Sequence, residues 1–168
     1  MLVVLLRHGH AGMKRHWRGD DSTRPLNAQG LAEAVSLTDL IAPFAPARIL
    51  SSPFLRCMQS VAPLAHAFDM HIEQSQSLVP EAGIAATALA LGVTTHGPGA
   101  VVLCTHGEVI RDMQASLARE DLPAFNSEAP REKASVWVLD RIDGHFVSAR
   151  YLPPPQREAD PSSANNHG

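Results

Sequence analysis

The chain has few cysteines, and this scarcity argues against a small protein held together by disulfide bonds. Cys57 and Cys104 are the only two among 168 residues, and they do not form a C-x-x-C pair. A disulfide framework is therefore not expected, because such frameworks need several spaced cysteines. We expect two reduced thiols and a cytoplasmic protein.

Long hydrophobic runs and a large net charge are also missing. The apolar segment MLVVLL ends at Arg7 and is too short for a signal peptide or a membrane span. The formal charge is -3, so neither a nucleic-acid polymer nor a membrane surface is expected as a partner. Positive charge is concentrated locally, however, since five of the 14 Lys and Arg residues lie between Arg7 and Arg24. Any bound anion is expected near that segment.

What remains is an ordinary globular composition, 45% hydrophobic, with alternating strand and helix patterns. The predicted strands are residues 2–6, 48–51, 71–73, 100–104, 133–140 and 145–151, and the predicted helices are residues 27–41, 53–68, 84–91 and 109–119. Pro53 is expected to open the second helix and Pro63 to kink or split it. Asp143-Gly144 is a hairpin turn signal.

This alternation predicts an α/β fold, a three-layer sandwich around a mostly parallel sheet. One domain is expected over residues 1–152. From residue 153 to 168 the chain is rich in proline, serine and asparagine. This segment is expected to be a flexible C-terminal tail.

Charged and polar residues follow the predicted strands at the point where each strand ends. They are Arg7 and His8 after the first strand, Arg56 in the helix after the second, Glu81 after the third, and His106 with Gly107 after the fourth. Because the carboxyl ends of parallel strands meet at one edge of a sheet, we expect these side chains to converge. The set contains no obvious carboxylate cluster for magnesium, so no metal or other cofactor is expected.

These residue types suit phosphoryl transfer through histidine. An imidazole with one unprotonated nitrogen is a competent nucleophile near neutral pH. Arginine forks match phosphoryl oxygens, a second histidine adds a donor if protonated, and a carboxylic acid can protonate the departing oxygen. Gly9 permits a sharp turn and a close approach to a ligand, and free amide groups at Gly107 could face an anion.

Four motifs in order resemble the histidine phosphatase superfamily, also called phosphoglycerate mutase-like. They are LLRHGHAG with its Arg-His-Gly sequence, RPLNAQG, SSPFLRCMQSVAPLA with the pattern Ser-Pro-x-x-Arg-x-x-Gln-(Ser/Thr), and CTHGEVI with the second histidine. Together they cover roughly residues 2–151. RHG alone is a weak signal, whereas four ordered motifs at strand exits are a strong one.

The resemblance implies a phosphoglycerate mutase-like fold and a role for each matching residue. His8 would be the phosphorylated nucleophile, with its ring oriented by the backbone carbonyl of Gly9. Arg7, Arg56 and His106 would hold the phosphoryl group.

The resemblance also supplies a proton donor, Glu81 in the segment SLVPEAG. Glu108 is a rival acid, and Glu81 could instead be a solvent-facing residue beside Pro80.

The short chain resembles the compact SixA-type phosphohistidine phosphatases. The run KRHWRGDDSTRPLNAQG also looks like the phosphatase half of two-domain hydrolases that join a Nudix domain to a histidine phosphatase domain. The segment between Arg56 and Glu81 is too short for a long insertion that would cap the site. An open site fits hydrolysis better than a closed mutase cycle. The expected substrate is a phosphorylated small molecule or a phosphohistidine protein, and the expected intermediate is a phosphohistidine.

Lys14, Arg15, Arg18 and Arg24 form a basic loop beside this site. We assign Arg15 and Arg18 to substrate binding, although a solvated loop is an equal alternative. Arg24 belongs to the RPL element and would support the structure of the loop. Trp17 could stack on a substrate ring, but packing is the more common role of a tryptophan.

Three other functions stay open. The first is a phosphoglycerate mutase-type phosphotransferase, and the second is a phosphate-binding module without catalysis. The third is a zinc site built on His8, His10 and His16, but Arg7 would repel a cation there and no acid or cysteine completes the ligand set. The sequence leaves the oligomeric state open.

Overall fold

The chain alternates strands and helices in the predicted order. The computed structural model describes residues 1–93, 98–118 and 120–156. The strands are β1 (Leu2–Arg7), β2 (Pro46–Ser51), β3 (Ile72–Gln74), β4 (Ala100–Thr105), β5 (Val136–Ile142) and β6 (His145–Leu152). The helices are α1 (Ala28–Ile41), α2 (Leu55–Ala67), α3 (Gly83–Leu91) and α4 (Gly107–Ser116), and short 3₁₀ turns occupy Lys14–His16, Asp21–Thr23, Ala42–Phe44 and Gln76–Leu78.

The six strands form one sheet in the order β3-β2-β4-β1-β5-β6. Strands β3, β2, β4 and β1 are parallel to one another, β5 is antiparallel to β1, and β6 is antiparallel to β5. The predicted mostly parallel sheet is therefore confirmed. The carboxyl ends of β1, β2 and β4 lie at the same edge, where Arg7 is paired with Thr105.

Two hydrophobic cores cover the two faces of the sheet. Alternate residues of β1 point to opposite faces, as a strand requires: Val3 and Leu5 belong to one core, Val4 and Leu6 to the other. Helices α3 and α4 close the first core, and α1 and α2 close the second. The predicted three-layer sandwich is confirmed, and all four of these β1 side chains are fully buried.

Local signals account for several element ends. The Asn27 side chain caps α1, because its Oδ1 accepts a hydrogen bond from Gly30 N–H at 2.9 Å. The Asp143-Gly144 turn joins β5 to β6 with φ of 51° and 88°, the positive values that a two-residue hairpin turn needs. None of the helices in the described residues is both long and apolar enough to cross a membrane.

The second helix differs from its prediction at two prolines. Phe54 is extended, with ψ of 132°, so α2 begins at Leu55 rather than at Pro53. Pro63 neither ends nor splits the helix, which continues to Ala67. Proline removes one backbone hydrogen bond there, and buried Val61, Leu64 and Ala65 anchor the helix on both sides of it.

The start of β5 also differs, and the difference affects the functional edge. The strand begins at Val136 and not at Lys133. Ala134 has φ of 59°, and its N–H donates to the carbonyls of Arg7 and His8 at 3.1 and 3.2 Å. A turn therefore places Lys133 beside the end of β1.

Two predicted segments extend beyond the described residues. Helix α4 ends at Ser116, and Arg119, the predicted last residue of this helix, lies outside the described part of the chain. Of the predicted tail, residues 157–168 lie outside it as well.

Candidate active site

One pocket at the carboxyl edge of the sheet contains the residues expected to form an anion site. Its volume is about 250 Å³. Arg7, His8, Arg56 and His106 all line it, although they come from three separate parts of the chain. The topology brings them together because β1 and β4 are neighbours and α2 begins beside them.

The His8 ring is buried and held in one orientation. Its Nδ1 lies 2.8 Å from the Gly9 carbonyl oxygen, as the resemblance implied. Since a carbonyl oxygen only accepts, Nδ1 carries the hydrogen and Nε2 keeps a free lone pair. The Arg56 Nε–H points at that nitrogen at 3.3 Å. This Nε2 lone pair therefore faces the pocket beside a guanidinium group.

The His106 ring is buried beside His8, with 5.1 Å between the ring centroids. Its Nε2 lies 2.9 Å from Ser52 Oγ, and its Nδ1 lies 3.2 Å from Arg56 Nη2. A guanidinium group only donates, so Nδ1 is the acceptor and Nε2–H donates to Ser52. Phe54 packs edge-on against the same ring at 5.0 Å.

Burial and positive neighbours keep both imidazoles neutral. Burial lowers the pKa of His8 to about 3, and the charges of Arg56 and Arg7 add to this effect, while the hydrogen bond to Gly9 opposes it. Burial likewise lowers the pKa of His106 to about 2, with further contributions from His8 and Arg56. The site therefore holds two neutral imidazoles, and its positive charge comes from arginine and lysine.

These lowered pKa values predict how stability depends on pH. The unfolded chain takes up protons at both histidines below about pH 6.5, whereas the folded chain takes them up only near the pKa values of about 3 and about 2. The free energy of unfolding is therefore complete above about pH 6.5 and falls as the pH drops toward 3, by up to about 1.4 kcal/mol per pH unit for each histidine.

Urea unfolding between pH 7 and pH 5 measures this slope. His106→Gln is expected to flatten it, and the same substitution at exposed His71 is the matched control. An unchanged slope in His106→Gln would show that the buried ring does not cause the pH dependence.

Arg56 is fixed by the 3₁₀ turn at Asp21–Thr23. Its Nη1 donates to the Asp21 carbonyl at 2.7 Å, and its Nη2 lies 3.1 Å from Asp21 Oδ2. The guanidinium group also packs on the Phe54 ring at 4.8 Å. Burial would raise the pKa of Asp21, but the hydrogen bond from Arg24 and the charge of Arg56 lower it, so Asp21 remains a carboxylate.

Arg7 presents an unsatisfied donor. Its Nη1 donates to the Arg131 carbonyl, while its Nε is buried and has no hydrogen-bond partner among the described residues. Gly107 lies against this side chain, because a Cβ at that position would stand 2.9 Å from Arg7 Cζ. An unpaired buried N–H is costly, and an anion in the pocket is a partner that would satisfy it.

The sequence motifs hold this edge together physically. Gln59 Oε1 accepts from the Leu26 N–H at 2.8 Å and thereby joins the SSPFLRCMQS and RPLNAQG segments. Ser60 Oγ accepts from the Gly9 N–H at 3.0 Å and thereby fixes the turn after His8. Gly30 is required by close packing, since a Cβ there would lie 2.1 Å from the His10 carbonyl oxygen.

A buried carboxylate supports the same turn from behind. Glu33 Oε2 accepts from the His10 N–H at 2.9 Å, and Oε1 lies 2.7 Å from His10 Nδ1. Gln29 donates to Oε1 at 2.9 Å. Helix α1 therefore fixes the backbone that carries Gly9, and with it the carbonyl that orients His8.

The basic loop contributes to the pocket through residues other than those assigned to it. Lys14 and Arg24 line the pocket, whereas Arg15 and Arg18 are exposed and are not among its lining residues. A 3₁₀ turn places successive side chains about a third of a turn apart, so Lys14 and Arg15 diverge. Arg24 donates to the Gly12 carbonyl at 2.6 Å and closes the loop, in keeping with its expected structural role.

Lys133 also lines the pocket, although no sequence motif pointed to it. Burial and the charge of Arg7 lower the pKa of its ammonium group. Asp21 and Glu33 were likewise not identified as site residues. Their roles depend on contacts between segments distant in sequence.

Both candidate acids lie on the rim. Glu81 and Glu108 are exposed and line the pocket. Glu108 interacts electrostatically with Arg7. Glu81 has no hydrogen bond or ion pair with another described residue.

The residues considered for zinc do not form a ligand set. His10 is paired with Glu33 and His8 with the Gly9 carbonyl. His16 accepts from Arg15 at 3.2 Å on the exposed loop. Within the described residues, no group of three or more His, Cys, Asp or Glu side chains could hold a metal ion.

Fold and site together define an α/β protein with paired histidines and arginines where parallel strands end. The sequence model of the histidine phosphatase superfamily (branch 1) matches residues 3–79. An 8-oxo-(d)GTP phosphatase of Mycolicibacterium smegmatis is 33% identical over 159 residues, which cover 93% of this chain and 49% of that protein. The chain thus spans about half the length of that relative.

Solved structures show the same fold. A structure assigned to the SixA phosphohistidine phosphatases, from Agrobacterium tumefaciens, matches with a TM-score of 0.70 and 25% identity, over 92% of this chain and 98% of that one. A mycobacterial glucosyl-3-phosphoglycerate phosphatase matches with a TM-score of 0.69 and 16% identity, over 90% and 96% of the two chains. Residues 3–79 thus match the histidine phosphatase superfamily, and the chain shares the fold of these solved structures.

Proposed function

We propose that the protein is a metal-independent phosphatase that hydrolyses a phosphomonoester or a phosphohistidine through a phosphorylated His8. One observation carries the proposal: the buried His8 ring has its Nδ1 hydrogen directed at the Gly9 carbonyl and its Nε2 lone pair facing the pocket. A neutral imidazole in a fixed orientation is the form that attacks phosphorus.

The reaction takes two displacements. In the first, His8 Nε2 forms a bond to phosphorus while the bond from phosphorus to the leaving oxygen or nitrogen breaks, and Glu81 gives that atom a proton. In the second, Glu81 takes a proton from water, the water oxygen bonds to phosphorus, and the bond from phosphorus to His8 breaks. We assign this role to Glu81 rather than to Glu108, because Glu108 already interacts electrostatically with Arg7.

Positive charge stabilises the transferring phosphoryl group. Arg56 and Arg7 supply fixed guanidinium donors, and the Arg7 Nε–H is free to donate a hydrogen bond to a phosphoryl oxygen. Lys14 and Lys133 add charge at the rim. A bound phosphoryl dianion would counter the effect of burial and favour protonation of His106, which would then add positive charge beside the phosphoryl group.

The substrates named for similar proteins are a phosphohistidine, glucosyl-3-phosphoglycerate and 8-oxo-(d)GTP. We propose a phosphorylated small molecule or a phosphohistidine protein as the partner here. We also propose a reducing, cytoplasmic setting, since Cys57 and Cys104 are both buried and free.

Phosphate release from a panel of phosphate esters and a phosphohistidine peptide tests the proposal. Turnover is expected to persist in excess chelator. Binding of phosphate without turnover of any member would favour a non-catalytic module, and phosphate migration without release would indicate a mutase.

The carboxylate of Glu33 gives a prediction about positioning. Glu33→Gln keeps the size and shape of the side chain but weakens its hydrogen bonds to His10. The turn that carries Gly9 is then less rigid, and the His8 ring is oriented less strictly. We expect kcat to fall about ten- to a hundredfold with little change in KM, because the arginines still bind phosphate. Steady-state kinetics on one ester measure both constants.

Glu73→Gln, which removes a surface carboxylate paired with Arg48, is the matched control. A rise in KM at constant kcat in Glu33→Gln would contradict a positioning role.

A further inference from the structure

A second pocket adjoins the proposed phosphoryl site. It has a volume of about 300 Å³ and shares Gly12, Met13 and Arg24 with the first pocket. When the phosphoryl group of a substrate is bound at His8, the rest of that substrate can therefore extend into the second pocket along the protein surface.

The second pocket differs in chemistry from the first. Met13, Trp17, Pro25 and Leu26 give it apolar walls. The Trp17 indole is 38% exposed, and its Nε1–H donates to the Asp20 carbonyl at 2.9 Å, which holds the ring in place. A fixed, partly exposed indole in an apolar pocket is suited to stacking on a flat ring.

The rim of this pocket also offers a polar donor. Asn27 lines it, and its Oδ1 is occupied in capping α1. Its Nδ2 has no hydrogen-bond partner in the part of the chain that the structure describes, so it can donate to a ring nitrogen or carbonyl. This combination favours a heteroaromatic ring over a purely aliphatic group.

We propose that the Trp17 pocket, lined by Met13, Trp17, Pro25, Leu26 and Asn27, binds a flat heteroaromatic ring carried by the leaving group. The substrate class is then a small phosphate ester of the nucleoside type. The proposal rests on the proposed function, because it takes the phosphoryl group to be bound at His8.

Adenosine 5′-monophosphate and ribose 5-phosphate form a matched pair of substrates, since they differ only in the adenine base that replaces the hydroxyl at C1 of ribose. We expect the wild type to prefer the nucleotide in kcat/KM. Trp17→Ala should reduce kcat/KM for the nucleotide about tenfold and leave that for ribose 5-phosphate unchanged. Trp17→Phe should retain most of the preference.

Phe68→Ala is the control, because Phe68 is equally exposed, at 37%, and lies at the far end of α2 from the site. Equal loss for both substrates in Trp17→Ala would show general damage to the loop and would overturn the proposal. A larger fall in kcat/KM for a phosphohistidine peptide than for the nucleotide in Trp17→Ala would assign the pocket to a peptide. That result would also overturn the proposal.

Binding can be measured without turnover. Trp17 and Trp137 are the only tryptophans, and Trp137 is 2% exposed. In a His8→Ala background, adenosine 5′-monophosphate should quench the fluorescence of Trp17, ribose 5-phosphate should not, and Trp17→Phe should abolish the quenching. Quenching without turnover in the wild type would refute the proposed function alone, whereas turnover of ribose 5-phosphate without quenching by the nucleotide would refute the subsite alone.

Discussion

Replacing His8 by alanine is expected to lower kcat/KM by about 10⁴-fold or more, because His8 forms the covalent intermediate in the proposed reaction. The ring is held by the Gly9 carbonyl, and its Nε2 faces the pocket beside Arg56. His106 cannot take its place, because its Nδ1 is directed at Arg56 and its Nε2 at Ser52. Phosphate release from one ester, followed in wild type and variant, measures the loss.

The result can be separated from misfolding. His71→Ala, at an exposed position, should retain full activity. Added imidazole should restore part of the turnover of His8→Ala, because the variant leaves a space beside intact arginines. Full activity of the His8→Ala variant without imidazole would contradict the proposal that His8 is the nucleophile.

Replacing Arg56 by lysine is expected to lower kcat by about 10²–10³-fold although the charge is kept. The guanidinium group has its Nε directed at His8, its Nη1 at the Asp21 carbonyl, and its Nη2 at both Asp21 and His106. A lysine ammonium cannot reproduce this planar set of donors. Steady-state kinetics and a thermal melt of the same preparation separate activity from stability.

Arg48→Lys is the matched control, since Arg48 is paired with Glu73 on the β2–β3 edge away from the pocket. We expect it to keep wild-type kcat. If Arg56→Lys were as active as Arg48→Lys, a simple positive charge would be enough at position 56, and the geometric argument would be wrong.

The sequence predicted the part of the site that follows from strand order. Arg7, His8 and His106 directly follow or end apolar runs, and such runs indicate buried parallel strands. Once those strands are parallel neighbours, their final residues must lie together. The same argument placed Arg56, because α2 begins at the same edge.

The rest of the site depends on backbone turns and long-range contacts that composition does not reveal. Lys133 reaches the pocket only because Ala134 adopts a positive φ, and alanine gives no signal of such a turn. Asp21 and Glu33 are site residues because the loop and α1 pack against Arg56 and His10. Pro63 lies within an intact helix because tertiary packing outweighs a local preference.

The central claim is that His8 carries the phosphoryl group during turnover, and rapid quenching tests it most directly. The protein is mixed with a phosphate ester, denatured in alkali within the first turnover, digested and examined by mass spectrometry. We predict that the peptide containing His8 gains the mass of one phosphoryl group on its imidazole, and that the Glu81→Gln variant accumulates more of this species. Rapid turnover with no phosphorylated His8 peptide in either protein, or with the phosphoryl group on another residue, would contradict the account.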